Sequence, residues 1–155
     1  MVATDTHQAI ETVWRIESAR LIAGITRVVK DVGLAEDLAG DALVAALEQW
    51  PEQGVPNNPG AWLMAIAKRR AIDRIRRNAL AERKQDELGR DFEERQEATA
   101  AEFDAVLEDD LGDDLLRLMF ISCHPVLSTE ARVALTLRLL GGLTTEEIAR
   151  AFLVP

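Results

Sequence analysis

The chain has 155 residues, a formal net charge of -9 and a single cysteine, which limits it to one domain or two small ones with no internal disulfide. A pI near 4.7 excludes whole-surface binding to DNA or to an anionic membrane, so any nucleic-acid contact has to be local. Ala and Leu are abundant, aromatics are few and Tyr is absent, a composition that favours helices and points to an all-α fold. No apolar run is long enough to cross a bilayer, and the polar N-terminus does not read as a signal peptide. With the lone Cys123, this gives a cytoplasmic location as the expectation.

The first helix is expected from about His7 to Asp31, capped by Asp5 or Thr6 and ended by Gly33. Ile10, Val13, Trp14, Leu21, Ile25 and Val28 recur on one stripe. The second helix is expected from about Ala35 to Trp50, stopped by Pro51. Its apolar stripe is Leu38, Ala39, Ala42, Leu43, Ala46, Leu47 and Trp50, and the opposite face carries Asp37, Asp41 and Glu48. That acidic face reads either as solvated surface or as a dock for a basic partner.

The segment from Pro51 to Gly60 holds three prolines and two glycines and is expected to be a loop. Asn58 is placed to cap the following helix, with Pro59 at its first position, which leaves Asn57 free. The third helix then turns Met64, Ala71, Ile72, Ile75 and Ala79 inward. Arg70, Arg74 and Arg77 share another face at i, i+4, i+7, and Arg69, Asp73 and Arg76 lie on a flank. Three arginines on one face repel one another unless an anion sits beside them, and guanidinium suits bidentate phosphate contact. The helix macrodipole accounts for two or three cations near a C-terminus, and less well for Lys68, Arg69, Arg70, Arg74, Arg76 and Arg77 together. A basic helix on an acidic chain makes nucleic acid the first candidate ligand.

From Asp86 to Asp114 the sign inverts, with thirteen carboxylates facing only Arg90 and Arg95, and apolar residues are sparse until Phe103, Val106 and Leu107. This reads as an acidic linker over 81–112, partly helical, that divides an N-terminal helical bundle (1–80) from a small C-terminal helical domain (113–155). The linker's charge is suited to fold back on the arginine helix. In the C-terminal part, a short helix runs to the break at Pro125, Ser128 caps a second helix, and Gly141-Gly142 end it. Thr144 with Glu147 then forms a capping box at the start of a third helix. A helix, a glycine turn and a short capped helix make the front half of a helix-turn-helix, and the expected recognition helix is missing, as if the chain were truncated.

No catalytic or metal site emerges. Cys123-His124 has no second cysteine and only His7 as a further histidine, too few ligands for zinc, and no phosphate-binding glycine loop is present. No cofactor is expected, and the chain is not read as an enzyme.

Three sets of residues carry a family resemblance: Leu34-Ala35-Glu36-Asp37-Leu38-Ala39-Gly40-Asp41-Ala42-Leu43; Trp62-Leu63 with Ala67, Ala71-Ile72-Asp73 and Arg76-Arg77; and Leu127-Ser128 through Leu140 with Gly142-Leu143-Thr144-Thr145-Glu146-Glu147-Ile148-Ala149. The first two resemble region two, and the third the start of region four, of bacterial RNA polymerase sigma factors of the extracytoplasmic-function type. The stretch from Asp113 to Pro155 resembles a subgroup with a long extra C-terminal domain. The resemblance implies core RNA polymerase and promoter DNA as partners, with a regulatory partner or a missing C-terminal domain in addition, and no membrane. It implies that Asp37, Asp41 and Glu48 dock on the polymerase clamp helices. It implies that the loop at Asn57 and Asn58 holds a base flipped out of the melted minus-ten strand, with Trp62 serving either as a stacking surface or as core. Lys68, Arg69, Arg70, Arg74, Arg76 and Arg77 complete the implied DNA-binding set, and the acidic linker would thread the polymerase interior. Minus-thirty-five recognition is doubtful without the second helix of region four. The alternatives are a non-catalytic helical adaptor and a helix-turn-helix regulator.

Overall fold

The computed structural model describes residues 2–81, 88–108 and 112–153. Within them the chain forms seven helices: α1 (Val2–Val29), α2 (Val32–Gln53), α3 (Pro59–Ala81), α4 (Leu88–Glu108), α5 (Gly112–Ser122), α6 (Thr129–Leu139) and α7 (Thr145–Ala151). The all-α expectation holds. Helix α1 is the hub, since α2, α3, α4, α5 and α6 all pack on it.

The α1–α2 contact follows from side-chain size. Ala35, Ala39, Ala42 and Ala46 are fully buried and recur along one stripe of α2. Small side chains let two helix axes approach closely, and larger residues alongside (Leu21, Ile25 and Leu38) fill the space between. Trp50, Leu63, Met64, Ala67 and Ala71 extend this core between α2 and α3. On α3 the inward face holds as expected for Met64 and Ala71, with Ile72 and Ile75 half-buried; the side chain of Ala79 lies outside the described residues.

Several boundaries differ from the sequence reading. Helix α1 starts at Val2, ahead of the Asp5 or Thr6 cap. It ends at Val29, before Lys30, which adopts φ 56. Gly33 does not end α1, because Asp31 already caps α2 by accepting from the Leu34 N–H at 3.0 Å, which places Gly33 inside α2. Pro51 does not stop α2, which continues to Gln53. A proline so close to a helix end removes only one N–H bond, the one that would reach Leu47. The chain leaves the helix three residues later at Gly54, whose φ of 84 suits glycine and whose N–H closes on the Trp50 carbonyl at 2.8 Å. Leu47, expected in the apolar stripe, is 41% exposed.

The acidic segment forms helix α4, whose Phe103 and Val106 are as deeply buried as any residue of the bundle. Two apolar residues three apart suffice to seat it against α1 and α3. The acidic residues Asp86, Glu87, Asp109 and Asp110 lie outside the described residues. Helix α5 buries Leu118 in the common core and Ser122 behind it, and α6 buries Leu139. The expected caps of α6 and α7 form: Ser128 Oγ accepts from the Ala131 N–H at 3.1 Å, and Thr144 and Glu147 exchange both bonds of the capping box.

Candidate nucleic-acid and protein interface

The entry into α3 is built by local chemistry. Asn58 Oδ1 accepts from the Ala61 N–H at 3.2 Å, and the Asn58 carbonyl accepts from the Trp62 N–H at 3.1 Å. Pro59 sits at the first helical position, where its missing N–H costs nothing. Asn58 is therefore the capping residue, and Asn57 stands exposed beside it with no bond to the helix. Trp62 is half-buried, and its ring meets that of Trp50 edge-on, with centroids 5.2 Å apart and planes at 65°. One side of Trp62 thus belongs to the α2–α3 contact.

Farther along α3, Arg70, Arg74 and Arg77 are exposed on one stripe, with Arg69 and Arg76 exposed on the flank. No ion pair holds any of these five among the described residues, and none joins Asp73 to Arg69 or Arg76. Sixteen residues separate Asn58 from Arg74, about 24 Å along a helix rising ~1.5 Å per residue. The loop and the arginine stripe are therefore opposite ends of one rigid rod. Lys68 stands apart from the set. It lies two residues from Arg70, hence across the helix. Its Nζ reaches Asp104 Oδ1 of α4 at 2.8 Å. Among the described residues, α4 meets α3 on that far side through Lys68 and Asp104, and Arg70, Arg74 and Arg77 stand exposed.

A second surface lies on α2. Asp37, Asp41 and Glu48 are exposed and fall on one line of the helix. Val44, 53% exposed, sits on the same line between Asp41 and Glu48, and Leu47 lies beside it. Sequence reasoning found the acids and missed the two apolar residues. The signal was available for Val44, which is three residues from Asp41 and four from Glu48, and so off the core stripe. An apolar strip edged by carboxylates is suited to a protein partner that presents cations around an apolar centre.

No group of His, Cys, Asp and Glu able to hold a metal occurs among the described residues. His124 has a structural bond, its Nδ1 accepting from the Val126 N–H at 3.2 Å in the turn after α5. No helix among the described residues is long and apolar enough to cross a membrane.

Comparison with known proteins adds to this geometry. Residues 16–80, from the middle of α1 to the end of α3, match the sigma-70 region 2 family. An uncharacterised protein of Rhizobium meliloti (strain 1021) is 34% identical over 134 residues, which cover 86% of this chain and 31% of that protein. Two proteins named ECF RNA polymerase sigma factor SigK, from Mycobacterium sp. strains KMS and JLS, are each 28% identical over 139 residues, covering 84% of this chain and 65% of theirs. The chain thus spans about a third of the first relative's length and about two thirds of the others'. No solved structure gives a significant match.

Proposed function

Because the chain belongs to the sigma factors of the extracytoplasmic-function type, with residues 16–80 as its sigma-70 region 2, we propose that it directs RNA polymerase to specific promoters. It acts by binding, without chemistry of its own. The observation that carries this reading is the pairing of two exposed faces of opposite sign within that matched region. The acidic and apolar strip Asp37, Asp41, Val44 and Glu48 docks on basic helices of the core polymerase. The rod of α3 holds the non-template strand of the melted minus-ten element. Arg70, Arg74 and Arg77 line the phosphates, with Arg69 and Arg76 beside them. Asn57 and the loop ahead of α3 receive an unstacked base. Trp62 gives one ring edge to the core and offers the rest to the strand, and Lys68 steadies α3 through Asp104. Helices α6 and α7 form the first part of a helix-turn-helix of the region-four kind.

Reversing one charge on the α2 strip tests the docking half of this reading. Asp41→Lys weakens binding to purified core polymerase at least tenfold while leaving the circular dichroism spectrum unchanged. Unchanged affinity in that variant and in Val44→Glu removes α2 as the docking surface.

A further inference from the structure

A cavity of about 340 Å³ lies between α1 and α5, apart from both surfaces described above. Each helix turns one stripe toward it. On α1 and just past its end, Ala23, Thr26, Arg27 and Lys30 follow at i, i+3, i+4 and i+7. On α5, Asp114, Arg117, Leu118 and Ile121 repeat the same spacing. Residues so spaced share one face of a helix, so the cavity is walled by two continuous faces. Val32, the first residue of α2, also lines it.

The sign of this lining runs against that of the chain. Three cations and one carboxylate meet at one cavity of a protein whose net charge is -9. Arg27 Nη1 lies 3.7 Å from the buried Asp114 Oδ2, so the carboxylate faces one of the cations. Lys30 and Arg117 are exposed and form no ion pair among the described residues. The carbonyls at the end of α1 account for Arg27 and Lys30, since a helix C-terminus favours cations. They do not account for Arg117, which stands in the interior of α5. Beyond the charges the wall is apolar, with Leu118 buried and Val32 and Ile121 partly open. A wholly polar anion would leave that wall unused, and an uncharged apolar molecule would leave Lys30 and Arg117 unanswered. The volume is at the lower end of the roughly 300–1,000 Å³ of small-molecule sites, which suits a single small ligand.

We propose that the α1–α5 cavity binds a small amphipathic anion, its carboxylate or phosphate head at Lys30 and Arg117 and its apolar body against Val32, Leu118 and Ile121. A guanidinium takes either head group bidentately, and the ammonium of Lys30 adds a point charge. The site stands independently of the sigma reading, because none of its residues belongs to the α2 strip or to the arginine stripe of α3.

Titration calorimetry of the full chain with decanoate, decyl phosphate, decanol and inorganic phosphate, each below its aggregation concentration, tests the site. At least one of the two anionic amphiphiles binds saturably, one per chain, and the tighter of them identifies the head group. Decanol and inorganic phosphate bind at least tenfold more weakly than that amphiphile. Methyl signals of Val32, Leu118 and Ile121 shift in the same titration. Arg117→Ala weakens the amphiphile at least tenfold with an unchanged circular dichroism spectrum, and Arg117→Lys recovers part of the loss. Arg95→Ala, which removes an exposed cation of α4, leaves the affinity unchanged. Absence of saturable binding by both amphiphiles overturns the proposal, as do methyl shifts confined to other residues. Equal affinities of Arg117→Ala and Arg95→Ala overturn it too, and so does decanol or inorganic phosphate binding as tightly as the amphiphiles. Polymerase enters none of these measurements, so failure here leaves the sigma reading standing.

Discussion

Trp50 and Trp62 hold α2 and α3 at the angle that sets the loop before the arginine stripe, and their pairing yields a quantitative expectation. Trp50 is 2% exposed, so Trp50→Ala removes a complete buried ring and costs about 3–5 kcal/mol. Trp62 is half-buried, so Trp62→Ala costs less. The edge-on pair at 5.2 Å contributes about 0.5–1.5 kcal/mol beyond area burial, and that amount is the expected coupling in the four-chain cycle. Urea unfolding followed by circular dichroism reads it. With a slope of about 2 kcal/mol/M, Trp50→Ala lowers the midpoint by roughly 2 M. Trp50→Phe keeps an aromatic ring and discards an indole N–H that has no hydrogen-bond partner among the described residues, so it costs less than Trp50→Ala. Coupling below about 0.3 kcal/mol refutes the pairing, because independent sites add within that margin. Trp62 would then have to be counted with the DNA surface alone.

Three further outcomes follow from the packing. Phe103→Ala costs about 3–5 kcal/mol in the same urea assay, whereas the exposed Glu97→Ala is within about 0.5 kcal/mol of the parent; a neutral Phe103→Ala would detach α4 from the core. Gly142→Ala costs at least about 1–2 kcal/mol from its positive φ, while Gly60→Ala is tolerated because its new Cβ meets only the mobile carboxylate of Glu17; equal midpoints for the two variants contradict this. The Glu147 carboxyl is held below its ordinary value, first by the Thr144 backbone N–H. Its stabilising effect on α7 is complete above the unfolded carboxylate range and is lost as pH falls through the depressed folded value. The protection of the α7 amides, taken relative to their intrinsic exchange rates, falls over that acid interval in the parent and not in Glu147→Gln; identical protection profiles rule the effect out.

The local chemistry of the fold was legible in the sequence where a side chain bonds its own backbone. Asn58, Ser128 and Thr144 cap as expected because each cap needs only residues three apart. What escaped depended on partners distant in sequence. Phe103 and Val106 sit among carboxylates, and nothing nearby reveals that α1 and α3 supply a core for them. Lys68 looked like one more cation of a basic helix until α4 placed Asp104 against it. Leu47 matched the apolar period of α2, yet it remains exposed beside Val44. Lys30 broke α1 in a left-handed conformation that a sequence reader assigns first to the nearby Gly33. The arginine stripe was legible from spacing alone, and its exposure in the fold leaves it accessible to phosphate.

The most direct test of the central claim is the affinity of core polymerase with this chain for a pre-melted promoter fragment, measured across salt concentrations for the parent and Arg74→Glu. The account predicts tight binding that weakens with added salt, and at least a tenfold loss with a shallower salt slope in Arg74→Glu. Equal affinity and equal slope for the two chains, with polymerase bound to both, would contradict it.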